Sequence, residues 1–299
     1  MTDLEVVFLL LGIPVSAVAL HAVFVAPRQL RITKTEAAIP GLSREFDGYT
    51  IVVLSDLHQA RLPGVSHSRR AARIAQSFDP DLIALIGDFA VSLHASSSAS
   101  APFYRSGMRA LSPIIAGLTA RDGIVAVLGN HDYYYDAAIV TEWLKSLKVK
   151  VLVNEAFIVE RAGAQLAIAG VDDTDEGTVD PKAGCAAIPA EVPRVILAHN
   201  PDAVLDFSAS VSVSLVLAGH THGGQVILPL VGALVRNSRI CAARHTRGWV
   251  PNGRVPLFVS AGVGSQIPLR FRCPPEVVIV RLRSASRESS SISDFRASS

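Results

Sequence analysis

The 299-residue chain carries 28 Lys and Arg against 26 Asp and Glu, a formal net charge of +2, and 49% of its residues are hydrophobic. The near-neutral balance gives no field to drive it onto nucleic acid, and the apolar content excludes a disordered chain and supports a sizeable core. Cys185, Cys241 and Cys273 are widely spaced and form no CxxC pair, which argues against a disulfide framework or thiolate zinc site and fits a reducing compartment.

The first feature along the chain is Val6–Val25, VVFLLLGIPVSAVALHAVFV, which has no Asp, Glu, Lys or Arg. As a helix it would reach about 30 Å, the thickness of a bilayer core. A cleaved signal peptide fits less well: Asp3 and Glu5 stand where a basic region belongs, and the small-x-small site Ala17-Val18-Ala19 lies inside the apolar run. Residues 1–27 are therefore expected as one uncleaved transmembrane helix in the cell membrane. Arg28, Arg31 and Lys34 follow it and set the rest of the chain on the cytoplasmic side. Residues 28–48 read as linker and entry.

From residue 49 to 283 the pattern is that of an α/β domain. The runs YTIVVLSD (49–56), DLIALIGD (81–88), GIVAVLGN (123–130), PRVILAHN (193–200) and SLVLAGH (214–220) are short, continuous and rich in Val, Ile and Leu, as strands buried on both faces are. Between them, Ala71, Ile74, Ala75 and Phe78 recur at helical spacing, as do Ile139, Trp143 and Leu147. QLAIAGVDD, PLFVSAGVG and EVVIVRL add strands enough for a second sheet. His94–Phe103, HASSSASAPF, reads as a flexible loop, and the Ser-rich 284–299 as a disordered tail.

Each of the first-named runs ends in metal-capable side chains: Asp56 and His58; Asp88; Asn130, His131 and Asp132; His199; His220 and His222. Ligands bind outside the carboxyl ends of parallel strands, so these groups should converge on one sheet edge. Taken singly, each has a plainer reading. Gly-Asp is ordinarily a turn, Gly-Asn-His-Asp a helix cap, and His199 a satisfied polar residue. Asp-x-His and His-x-His, however, send both side chains to one side of an extended segment, and five turns choosing Asp, His and Asn by accident is the less economical account. Imidazole and carboxylate suit Mn, Fe or Zn. Seven ligands exceed one tetrahedral ion and suit two, with Asp88 the central candidate to bridge them. Two ions roughly 3.5–4 Å apart can clamp a phosphoryl group and turn a water into hydroxide near neutral pH, offsetting charge on the equatorial oxygens during in-line attack.

With these residues the chain resembles the calcineurin-like metallophosphoesterase superfamily, whose D-x-H, G-D, G-N-H-[DE], later H and G-H-x-H stand here in order as SDLH, GD, GNHD, AHNP and GHTHGG. The resemblance implies a four-layer α/β/β/α sandwich. It implies one divalent ion on Asp56, His58, Asp88 and His222, and another on Asp88, Asn130, His199 and His220. His131 would meet the phosphate, as general acid or as a stabiliser of the transition state, with Asp132 orienting it. SAGVGSQIPLRFRCPPEVVIVRL (260–282) and GHTHGGQV look like the YkuE/YaeI-type subgroup, whose members carry an N-terminal membrane segment or export signal.

The function so implied is a membrane-anchored, dinuclear hydrolase of phosphodiester or pyrophosphate bonds, with a lipid-linked phosphoester among its candidate substrates. The alternative is a UDP-2,3-diacylglucosamine pyrophosphatase of lipid A synthesis. A non-catalytic platform would have lost ligands, and a nuclease would need a basic groove; Arg69-Arg70 read as a solvated helix face, while the Arg236–Arg247 stretch suits anionic headgroups or a substrate phosphate. Phe103, Tyr104, Ile267 and Leu269 are candidate lining for a lipid tail, and loops 94–106 and 228–256 are expected to hold substrate identity.

Overall fold

A computed structural model describes residues 3–59, 64–92, 101–208 and 211–285, with side chains from residue 12 onward. One six-stranded sheet has the order β1 (Arg31–Pro40), β14 (Glu276–Ala285), β2 (Thr50–Ser55), β3 (Leu82–Ile86), β4 (Ile124–Val127), β5 (Lys150–Val151). The other runs β12 (Gly248–Trp249), β13 (Leu257–Val259), β9 (Leu215–Ala218), β8 (Arg194–Ala198), β7 (Ala164–Gly170), β6 (Glu155–Arg161). A separate hairpin joins β10 (Ile227–Leu228) to β11 (Gly232–Ala233). β2 to β5 are mutually parallel, and so are β7, β8, β9 and β13.

Side-chain alternation along each strand divides the apolar residues between separate cores. Ile51, Val53, Leu82, Ala84 and Ile86 face Val195, Leu197, Leu215 and Leu217 between the two sheets. Their neighbours Val52, Leu54, Ile83 and Leu85 face outward, beneath helices α2 (Val65–Gln76), α3 (Ala101–Ile115) and α5 (Ala137–Ser146). Ile196, Ala198, Val216 and Ala218 face the opposite way, under Ala203, Val204 and Cys185. The continuous apolar runs thus follow from burial on both faces. The expected sandwich is present, but its fourth layer is thin: α6 (Pro181–Cys185), the 3₁₀ turn Pro201–Leu205 and loops. Between α3 and α5 the short α4 (Asn130–Tyr135) rises directly from the end of β4.

Several expectations change. Residues 28–48 are not merely a linker, because Arg31–Pro40 forms the edge strand β1, parallel to β14, with Thr35, Ala37 and Ile39 turned inward in period two. On α5 the buried stripe is Val140 and Leu144, and Ile139 is exposed. At the N-terminus, α1 (Asp3–Leu20) contains Pro14 and stops at Leu20; the chain continues as a π turn and a 3₁₀ turn whose Ala22, Ala26 and Pro27 are buried. Part of the expected membrane helix has side chains outside the described set, and among the described residues no helix is long and apolar enough to cross a membrane. The expected loop 94–103 lies outside the described residues up to its last three, which open α3, and the expected tail does so from residue 286.

Candidate metal centre

The two sheets present their ligand-bearing ends side by side. Asp56, Asp88 and Asn130 follow β2, β3 and β4 of one sheet; His199 and His220 follow β8 and β9 of the other. The single sheet edge expected from the sequence is therefore two facing edges. The backbone turns sharply at each exit. Asp56, His58, Asp88, His220 and His222 adopt φ of 50°, 36°, 55°, 66° and 51°. This left-handed region is uncommon for non-glycine residues and gathers where geometry serves function.

Six of the seven expected ligands meet, and the seventh, Asn130, lines the same cleft. His58 Nε2 lies 3.1 Å from His222 Nε2 and 3.2 Å from Asp88 Oδ2. His199 Nε2 is 3.4 Å from the same Asp88 oxygen and 3.2 Å from His220 Nδ1. His222 Nε2 stands 3.7 Å from Asp56 Oδ1. Asp56, His58 and His222 form one group whose ligand atoms lie within 4.8 Å of one another, and Asp56, Asp88 and His199 form a second. His131 is within the same reach of His58 and Asp88, and its ring meets that of His58 edge-on, centroids 4.8 Å apart. Asn130 Oδ1 is buried without a hydrogen-bond donor.

The donor set fits divalent cations on a specific ground. His199 Nδ1 is 3.0 Å from the carbonyl of Ile86, which accepts only from N–H. A neutral His199 therefore aims the lone pair of Nε2 at the Asp88 carboxylate and His220, and acceptors converging in this way need a cation or a proton between them. Without metal the proton serves. Burial works against it, but Asp88 lifts His199 well above the usual imidazole range. Burial likewise opposes charge on Asp88, yet His199, His131 and His58 hold its carboxyl well below the usual range. Burial keeps His222 and His220 below their ordinary values and His131 at about 4, despite Asp88. Neutral rings leave nitrogen lone pairs free to ligate.

Space around the ligands dictates the glycines. At Gly129 φ is −114°, ordinary for any residue, but a Cβ there would sit 2.4 Å from Asp88 Oδ1 and 2.8 Å from the His199 ring. Gly129→Ala is expected to displace the Asp88 carboxylate and weaken metal retention by roughly 10–100-fold, readable by equilibrium dialysis.

Asp132 has a different role from the one expected. Its Oδ2 accepts from the N–H groups of Asp88 (2.9 Å) and Gly129 (2.8 Å), and its Oδ1 from Phe89 N–H (3.0 Å) and the Tyr104 hydroxyl. It pins the Asp88 turn to the start of α4. Adjacent residues on a helix do not face each other, so it cannot hold the His131 ring; that ring receives Ser92 N–H at Nδ1, 3.4 Å away. Burial, then Asp88, raises Asp132 to about 6. Tyr104, expected to line a tail site, is fully buried. Phe103 lines a different cleft, whereas Ile267 and Leu269 do line the one at the metal centre, of about 460 Å³.

Sequence reasoning missed two supports. Arg270 is fully buried, with no carboxylate among its hydrogen-bond partners in the described residues. Its guanidinium donates to the carbonyls of His222 (3.0 Å), Ala261 (2.9 Å) and Gly264 (2.6 Å), while Gly264 N–H donates to Asp56 O (2.7 Å). One side chain thus ties both ligand loops together. The second is the loop after β7. Asp173 is buried with Oδ2 unpartnered and is raised by burial to about 6, and Asp175 stands 3.8 Å from His220 Nε2. Among the described residues Asp173 Oδ2 is the one buried carboxylate oxygen without a hydrogen-bond partner, a signal that exists in three dimensions alone; in sequence VDDTDEG reads as a polar turn.

The profile of the calcineurin-like phosphoesterases matches residues 49–224, and the chain belongs to that family. Its class is that of metal-dependent phosphoester hydrolases. It is 33% identical over 240 residues to the phosphodiesterase YaeI of Escherichia coli, covering 78% of this chain and 82% of that one. With the metallophosphoesterase YkuE of Bacillus subtilis identity is 27%, over 89% and 90% of the two chains. With the UDP-2,3-diacylglucosamine pyrophosphatase LpxG of Chlamydia muridarum it is 25%, over 85% and 90%.

Proposed function

We propose that this chain is a membrane-anchored, dinuclear phosphodiesterase or pyrophosphatase acting on a lipid-linked phosphoester, with its catalytic domain on the cytoplasmic side. The observation that carries the reading is the convergence of His58, Asp88, His199, His220 and His222 on one another through acceptor atoms 3.1–3.4 Å apart. One cation is assigned to Asp56, His58, Asp88 and His222, the other to Asp88, Asn130, His199 and His220. Mn, Fe or Zn suits either. Divalent ions held there supply Lewis-acid charge and lower the pKa of water, which phosphoester hydrolysis requires. Because His131 Nδ1 accepts from Ser92, the proton resides on Nε2. The ring then donates to a phosphoryl oxygen and stabilises charge on it, in preference to acting as general acid. Anchoring is supported by Ile13, Val15, Val18, Leu20, Phe24 and Val25, all exposed along the segment leading into the domain.

The full chain in detergent should hold about two divalent ions and cleave a bis-aryl phosphodiester when Mn is supplied, with chelation stopping turnover. Undiminished turnover after exhaustive chelation would refute the reading. His131→Ala should lower kcat by roughly 10²–10³ while leaving metal content unchanged. The runner-up, a UDP-2,3-diacylglucosamine pyrophosphatase, is favoured by the likeness to LpxG; it would show as preferential turnover of UDP-linked diacyl lipid.

A further inference from the structure

The hairpin β10–β11 sits against the metal loop. A Cβ on Gly224, two residues past His222, would lie 2.3 Å from Ala233 Cβ. Its outer surface is apolar without cover: Leu230 is 92% exposed, and Val231, Leu234 and Val235 are each more than half exposed. Leu230 also takes φ 67° at the tip, where glycine would be unstrained. A branched aliphatic that is both strained and in water is poorly explained by folding alone. Ile267, equally exposed, stands beside the hairpin, with Gln225 Nε2 bonding the carbonyls of Ile267 and Leu269.

Two further observations identify what covers this surface. From Phe207 to Pro275 the chain has no Asp or Glu and seven Arg. Arg236 and Arg244 are exposed, Arg244 bonds the carbonyl of Leu230 itself, and Arg239 is exposed but already pairs with Asp202 at 3.3 Å. Apolar residues at a tip with arginines behind them match the chemistry of an anionic bilayer interface. The second observation is position. Arg270 N–H donates to the carbonyl of Ala22, 2.9 Å away, so the loop carrying Ile267 is bonded to the end of the apolar N-terminal segment. Whatever surface that segment enters lies next to the hairpin.

We propose that the β10–β11 hairpin and Ile267 form a second bilayer contact, lodged in the headgroup region of an anionic membrane, which opens the metal-site cleft onto the lipid surface. The proposal rests on the reading of the N-terminal segment as an anchor. Leu234, Val235, Ile267 and Leu269 line the cleft together with His131 and His222. A substrate's phosphate would reach the ligands while its acyl chains stayed in the membrane.

The test uses the full chain with Leu230→Cys carrying an environment-sensitive nitrobenzoxadiazole label; the native cysteines are all buried. The protein is mixed with vesicles of phosphatidylcholine doped with phosphatidylglycerol, with or without spin-labelled lipid. The label should shift to the blue and be quenched by spin-labelled lipid, while a label at Glu142→Cys on α5 should not. The double variant Leu230→Asp/Val231→Asp should keep turnover of a soluble bis-aryl phosphodiester and lose about tenfold on a phosphodiester embedded in vesicles, the scale set by withdrawing a Leu and a Val from apolar surroundings. A chain that floats with vesicles while its tip label stays in water would overturn the hairpin contact and leave the anchor standing. A chain that does not float would overturn both. A label shielded without lipid, increasingly at higher protein concentration, would identify a second copy as the occupant and overturn the proposal.

Discussion

Asp88→Asn is expected to abolish turnover of the full chain on a bis-aryl phosphodiester with Mn supplied, by about 10³-fold or more, because charge stabilisation worth several kcal/mol is lost. The reason is where its oxygens lie. Oδ2 stands between His58 Nε2 and His199 Nε2, at 3.2 and 3.4 Å, while Oδ1 accepts the His131 N–H at 2.9 Å. Asparagine keeps the volume, but one of its ends is a donor. It must aim an N–H₂ either at the imidazoles or at the His131 N–H, and neither arrangement leaves a shared anion. Metal analysis on the same sample should show reduced occupancy. Parent-like turnover would mean that no carboxylate is shared there.

The second large effect concerns stability. Asp132→Ala should lower unfolding free energy by about 3–5 kcal/mol, since the N–H groups of Asp88, Phe89 and Gly129 and the Tyr104 hydroxyl would lose a buried acceptor. In a domain of this size that corresponds to roughly 10 °C in Tm, measured by calorimetry on chelated protein so that metal loss does not contribute. His131→Ala, with its ring at the cleft, should leave Tm nearly unchanged in the same assay. If Asp132 instead served only to orient His131, the two variants would share their kinetic defect and neither would melt early.

That contrast marks what the sequence could reveal. The strands β2, β3, β4, β8 and β9 were legible because burial on both faces forces unbroken Val, Ile and Leu, and the ligands because each closes such a run. Asp132 misled because neighbours in sequence diverge on a helix. β1 is weakly marked because its period-two face is short, Thr35, Ala37 and Ile39, with Lys34 and Glu36 beside Thr35 and only Ala38 between the other two. Division of the ligands between two sheets is a matter of strand order, which no local pattern encodes. Arg270 gave no sign because its partners are carbonyls, which every residue has. The family match covers the ligand motifs through residue 224, whereas the hairpin and Arg270 lie beyond it.

The left-handed turns at Asp56, His58, Asp88, His220 and His222 carry a further consequence. Each costs about 1–2 kcal/mol that glycine would not. An engineer ranking positions for thermostability would find these among the most tempting for relief, and all of them carry side chains that the proposed metal centre would use. On the proposed assignment, tolerance to heat and turnover are set against each other at the same five residues, so hardier variants should be sought in the sheet core and the thin outer layer over β8 and β9 instead.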